Sequence, residues 1–159
     1  MDEPMAAAAL ASAIALALSG CGIIGPGKPL TVDEARSQAV TELRSVLELA
    51  PDTWPQEVPE PAANDCQVDG QKAVQFSYYV EVDGPDDPQV LVEQAGEHWR
   101  KQGYELTTTQ TEMDAATGDV SAVVARAEGK PRASIAATRI GAHVNVDSRC
   151  VVGDPDDYR

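Results

Sequence analysis

Residues 72–82 read KAVQFSYYVEV. Val74, Phe76, Tyr78, Val80 and Val82 fall on one side of an extended chain, and Gln75, Ser77, Tyr79 and Glu81 on the other. This period of two predicts a strand with one buried and one wet face, the pattern of an antiparallel sheet covered on one side only. A stop and a restart follow. Asp83-Gly84-Pro85-Asp86-Asp87-Pro88 breaks the strand, with Asp87 suited to cap a helix and Pro88 to begin it. That helix runs to about Gln102 and buries Leu91, Val92, Ala95 and Trp99. Gly103 suits its left-handed stop, and Tyr104 the apolar contact beyond it.

Four extended runs come next: Tyr104–Met113, Val120–Glu128, Arg132–Ile140 and Ala142–Val152. The first is Thr-rich and the others alternate Val or Ala with polar residues, as strands do. Short breaks at Asp114–Asp119, Glu128–Pro131 and Gly141 imply consecutive hairpins. Upstream, Thr31-Val32-Asp33-Glu34 fits a capping box, with Glu three residues after the capping Thr. Val32, Ala35, Ala39, Leu43, Val46, Leu47 and Ala50 then repeat at helical spacing until Pro51. Pro51 to Asp65 holds four prolines and reads as an irregular connection that Trp54 pins to the domain. The expected order is α-β-α-β-β-β-β. This is an α+β domain, an antiparallel sheet of about five strands with two helices packed on one face.

The chain has 159 residues, enough for one ordinary domain. Hydrophobic content is 43% and aromatic content 4%, so a packed core must rely on Val, Leu, Ile and Ala. The formal net charge is −14, which repels nucleic-acid phosphates, so no nucleic-acid partner is expected.

Met5 to Leu18 reads MAAAALASAIALAL, an uncharged run shorter than the roughly 20 residues a spanning helix needs and of the length of a signal-peptide core. It ends in Leu18-Ser19-Gly20-Cys21, which resembles the lipobox of bacterial lipoproteins. Asp2 and Glu3 stand in the leader where that family carries Lys or Arg. The resemblance implies cleavage between Gly20 and Cys21 and a diacylglyceryl and palmitate-type anchor on the Cys21 thiol. The protein would then sit on the extracytoplasmic side of the cell membrane. Composition, rich in Ala, Val, Asp and Arg, gives the lipoprotein an actinobacterial flavour. The expected organisation is a signal peptide over 1–20, the lipidated cysteine and tether over 21–30, the α+β domain over 31–153 and an acidic tail over 154–159.

With Cys21 assigned to the lipid, Cys66 and Cys150 remain as a pair in an oxidising compartment. A disulfide between them is the simplest use, closing a loop of roughly 85 residues. A metal site needs more ligands at closer spacing, and no CxxC or HxxxH occurs.

Chemistry is sparse elsewhere. His98 and His143, the only histidines, have no acid at a catalytic spacing, and no GxSxG, P-loop, GxGxxG or HExxH run occurs. Asp83, Asp86 and Asp87, and Asp154, Asp156 and Asp157, do not follow a calcium-loop spacing. No catalytic residue, metal or cofactor is expected. The remaining surface is the outer face of the sheet, carrying Gln75, Ser77, Tyr79, Glu105, Thr107, Thr109 and Thr111. Tyr79, Thr107 and Thr109 are its candidate binding residues. These features point to a non-enzymatic binding or envelope-assembly module whose partner is an envelope protein or a polysaccharide. The alternatives are an envelope hydrolase using acidic residues and a toxin-neutralising or surface-exclusion lipoprotein.

Overall fold

A computed structural model describes residues 29–159. The signal peptide, the Gly20–Cys21 cleavage point, the Cys21 anchor and all but the last two residues of the tether lie outside the described residues. Helix α1 (Val32–Leu47) starts at the expected capping box: Thr31 Oγ1 accepts from the Glu34 amide at 3.2 Å, and Glu34 Oε2 accepts from the Thr31 amide at 2.8 Å. Strands β1 (Ala62–Val68) and β2 (Gln71–Asp83) form a hairpin. Helix α2 (Pro88–Lys101) follows, then β3 (Glu105–Thr111), β4 (Val120–Arg126), β5 (Arg132–Ala137), β6 (Gly141–Asp147) and β7 (Val151–Val152). A 3-10 turn, η1 (Pro155–Tyr158), closes the chain.

The class is α+β, with an antiparallel sheet that has seven strands among the described residues rather than about five. The spatial order is β1-β2-β6-β5-β4-β3, with β7 on β2 below β6. Two differences account for the revised count and order. Part of the supposed connection 51–65 is β1, joined to β2 by Asp69 (φ 50°) and Gly70 (φ 77°), both in the left-handed region that a two-residue hairpin turn requires. The last expected run is interrupted at Ser148, whose amide donates to the Phe76 carbonyl at 2.8 Å and whose Oγ accepts from the Phe76 amide at 2.9 Å. The chain resumes as β7. Residues 154–159 are also no free acidic tail. Pro155 is buried, Tyr158 meets the Phe76 ring edge-on with centroids 5.3 Å apart, and Arg159 pairs with Asp65 at 2.7 Å.

Both helices lie on one face. The row Val80, Val144, Ile135 and Val123 runs through β2, β6, β5 and β4 in register, and all four are buried under the helices. α1 packs on β2, β6 and β7, and α2 on β3, β4 and β5. Leu43, Val46, Trp54 and Trp99 fill the space between helices and sheet. The α2 stop is the expected one: Gly103 takes φ 84°, its amide reaches the Arg100 carbonyl, and the Tyr104 amide reaches the Trp99 carbonyl, each at 3.0 Å.

Cys66 and Cys150 form a disulfide, with their Cα atoms 6.3 Å apart. Cys66 pairs across the hairpin with Ala73, and Val152 of β7 pairs with the same Ala73 from the other side. The bridge therefore ties together the two strands that flank the lower half of β2, beside an Ala73 that is fully buried. None of the helices described is long and apolar enough to cross a membrane.

Candidate functional site

The face opposite the helices has no covering element among the described residues. Its composition follows from strand periodicity: each strand that sends Val or Ala inward sends its alternate residues outward. Cross-strand register assembles these into rows. Tyr79, Asn145, Ser134, Val124 and Thr107 lie side by side across β2, β6, β5, β4 and β3. Glu81, His143, Ala136, Ala122 and Thr109 form the next row on the same face. Tyr79 and Thr107 thus stand at opposite ends of one row, four strand spacings or about 19 Å apart. The three candidate residues share one face but not one cluster.

The face is graded. On the β2–β6 side, the Tyr79 ring stacks on His143 with centroids 5.3 Å apart, and Tyr79 is 49% exposed. The Tyr79 hydroxyl donates to Glu81 Oε2 at 3.3 Å. Partial burial first, then the neighbouring Glu81 carboxylate, raises the Tyr79 phenol above its usual range. One row lower, Asp147 Oδ1 accepts from Ser77 Oγ at 2.6 Å and from Asn145 Nδ2 at 3.0 Å, while Arg132 lies 3.8 Å from its Oδ2. The middle of the face is aliphatic, with Ala122, Val124 and Ala136 half-buried. The β3 side carries the hydroxyls of Thr107, Thr109 and Thr111, all exposed. An aromatic platform beside fixed carboxylate and amide groups, grading into a shallow aliphatic floor, can hold an extended polar ligand or a protein surface.

A second polar cluster lies between the helices. Glu42, buried on α1, accepts from Trp99 Nε1 at 2.8 Å and from the Tyr104 hydroxyl at 3.0 Å. Burial first, then the Glu42 charge and its hydrogen bond, pushes the Tyr104 phenol far above its usual range. The Lys130 ammonium sits 4.9 Å from the Tyr104 ring centroid and donates to the Gln102 carbonyl at the end of α2. One turn along, Ser45 Oγ and Gln102 Nε2 contact His98 Nε2 at 2.9 and 2.6 Å. Ser45 also donates to the Glu42 carbonyl of its own helix. This cluster braces α1 against α2. A cleft of about 330 Å³ between Ser37, Thr41, Tyr104 and Lys130 opens beside it.

The acidic clusters resolve as local structure. Asp87 Oδ1 caps α2 by accepting from the Val90 amide at 3.0 Å, and Asp154 pairs with Lys72 at 2.6 Å and caps η1. Among the described residues, no three His, Cys, Asp or Glu side chains converge as metal ligands.

No protein-family model matches the chain, and no curated protein resembles it in sequence. Among solved structures, the fold is similar to the crystal structure of a DUF4853 family protein from Actinomyces odontolyticus, with a TM-score of 0.55 over 80% of this chain and 72% of that one. The two chains are 10% identical, so the likeness is one of fold.

Strand alternation alone places Tyr79, Thr107 and Thr109 on the outer face, but the partners that give that face its character are not legible in the sequence. His143 and Asn145 join Tyr79 only through the β2–β6 pairing, and no local pattern signals that crossover.

Proposed function

We propose that this chain is a membrane-anchored extracytoplasmic lipoprotein whose folded body is a non-enzymatic binding or envelope-assembly module. Its ligand, an envelope protein or polysaccharide, lies on the outer face of the sheet. The observation that carries this reading is the uncovered face itself, with the Tyr79–His143 stack at one side and the Thr107–Thr109 hydroxyls at the other. The lipobox-like Leu18–Cys21 run supports the anchor, and the Cys66–Cys150 bridge suits an oxidising compartment. Two acyl chains on Cys21 suffice for stable membrane attachment, because each buried CH₂ contributes about 0.8 kcal/mol.

The test has two arms. Cys21→Ala should move the protein from the membrane pellet to the soluble fraction; retention in the pellet contradicts the anchor. Tyr79→Ala combined with His143→Ala should abolish retention on isolated envelope polysaccharide or on cross-linked envelope protein, with the thermal unfolding of the body unchanged. Undiminished retention contradicts the binding face.

A further inference from the structure

The path β1-β2-β6-β5-β4-β3 has two edges, and they are built differently. β1 follows Pro59 and Pro61, carries Asp65 in its pair with Arg159, packs against η1 and is held by the Cys66–Cys150 bridge. Prolines, charge and a covering segment all obstruct the addition of a further strand. β3 has no proline, no covering segment on its free side among the described residues, and no charge within its length beyond Glu105 at its end. It pairs with β4 without a bulge from Glu105↔Arg126 to Thr111↔Val120. It contains no Pro, Lys or Gly, and its one charge, Glu105, lies at its end. Among the described residues, β3 pairs on one side only. A groove of about 190 Å³ runs beside it, lined by Glu93, Gly96, Glu97 and Arg100 of α2 and by Leu106 and Thr108. A long exposed edge strand with no protecting device is a template for strand pairing.

We infer that two copies of this chain associate through β3, antiparallel, about a two-fold axis at Thr108. The occupant is a second copy because the strand is complementary to itself. Centring on Thr108 sets Thr107 against the partner's Thr109, Leu106 against the partner's Gln110, and Glu105 against the partner's Thr111. Within β3 no like charges are opposed, and Thr–Thr pairs are favourable across strands, while Glu93 and Glu97 of α2, beside Thr108, add to the repulsion that salt screens. Side chains alternate, so opposed residues share a face. The helices of both copies therefore stay on one side, and the two open faces join into one. Thr107, Thr109 and Thr111 then lie at the centre of a continuous sheet instead of at its rim. The net charge of −14 repels the copies at a distance while the contact strand is nearly neutral, so association strengthens as salt screens that repulsion.

Register-specific disulfide trapping on the purified full-length chain tests this. Three variants are oxidised and run on non-reducing gels at low and high salt: Thr108→Cys, the double variant Thr107→Cys with Thr109→Cys, and Asn64→Cys on β1. The first two place thiols opposite one another across the two-fold axis; the third lies on the obstructed edge. Dimer from either β3 variant, increasing with salt, with monomer from Asn64→Cys, is the expected result. Monomer from both β3 variants, or dimer from all three as in random collision, overturns the inference.

Discussion

Glu42 is the residue on which the helix layer turns. It sits at a helical position where periodicity asks for an apolar side chain, between Ala39 and Leu43, and it is buried because two donors from the other side of the helix pair meet it there. Replacing it strands two buried donors at once, and each unsatisfied donor costs about 1–3 kcal/mol. Glu42→Ala should therefore lower the unfolding free energy by about 3 kcal/mol, and Tyr104→Phe by about 1 kcal/mol, as read by urea denaturation. The Tyr104 phenol also sets an alkaline limit. Its value is raised on folding, so its contribution is complete below the unfolded value of about 10 and is lost as pH rises beyond it. Stability measured above pH 10 should fall with pH, and the fall should be shallower in Tyr104→Phe. An equal slope in both proteins contradicts this assignment. Neither role is legible in the sequence, because a Glu on an apolar helical face reads as a stray until Trp99 and Tyr104 are seen to converge on it from 57 and 62 residues away.

Elements were legible where local chemistry decided them. The capping box of α1, the Asp87-Pro88 start and Gly103 stop of α2, and the alternation of β2 each need only nearby residues, and each forms as expected. β1 was missed because its sequence, AANDCQV, does not alternate. It is an edge strand whose residues are mostly exposed, so little core burial writes a pattern into it. The Asp69-Gly70 pair was its one local signal. The β2–β6 pairing was not legible at all, because it brings together segments separated by a helix and three strands, and only the completed sheet selects that order. The disulfide belongs to this scale: it holds β1 and β7 to β2 across 84 residues of sequence. In the loop-entropy model a bridge over that span contributes about 4–5 kcal/mol. The variant Cys66→Ala with Cys150→Ala should lose stability of that order, and hydrogen exchange should accelerate first in the β1–β2 hairpin. A loss of the same size spread evenly over β3–β5 would contradict the local role.

At the scale of the molecule, one fact organises the rest: among the described residues the sheet is covered on one face and open on the other. The helices take the apolar side of every central strand, and the bridge and η1 secure one end. The outer face is left with an aromatic stack, a fixed Asp147 hub and a Thr-bearing border. In the proposed setting Cys21 holds the body near the membrane through Gly22–Leu30, nine residues that reach at most about 30 Å, so the open face meets partners within the envelope. The measurement that tests this most directly is site-specific photo-cross-linking in cells that make the full chain, with the photoreactive residue at Ser134 in the middle of the open face or at Gln94 on the exposed side of α2. The account predicts adducts to an envelope protein or polysaccharide from Ser134 and none from Gln94. Adducts from Gln94 alone, or from neither position, would contradict it.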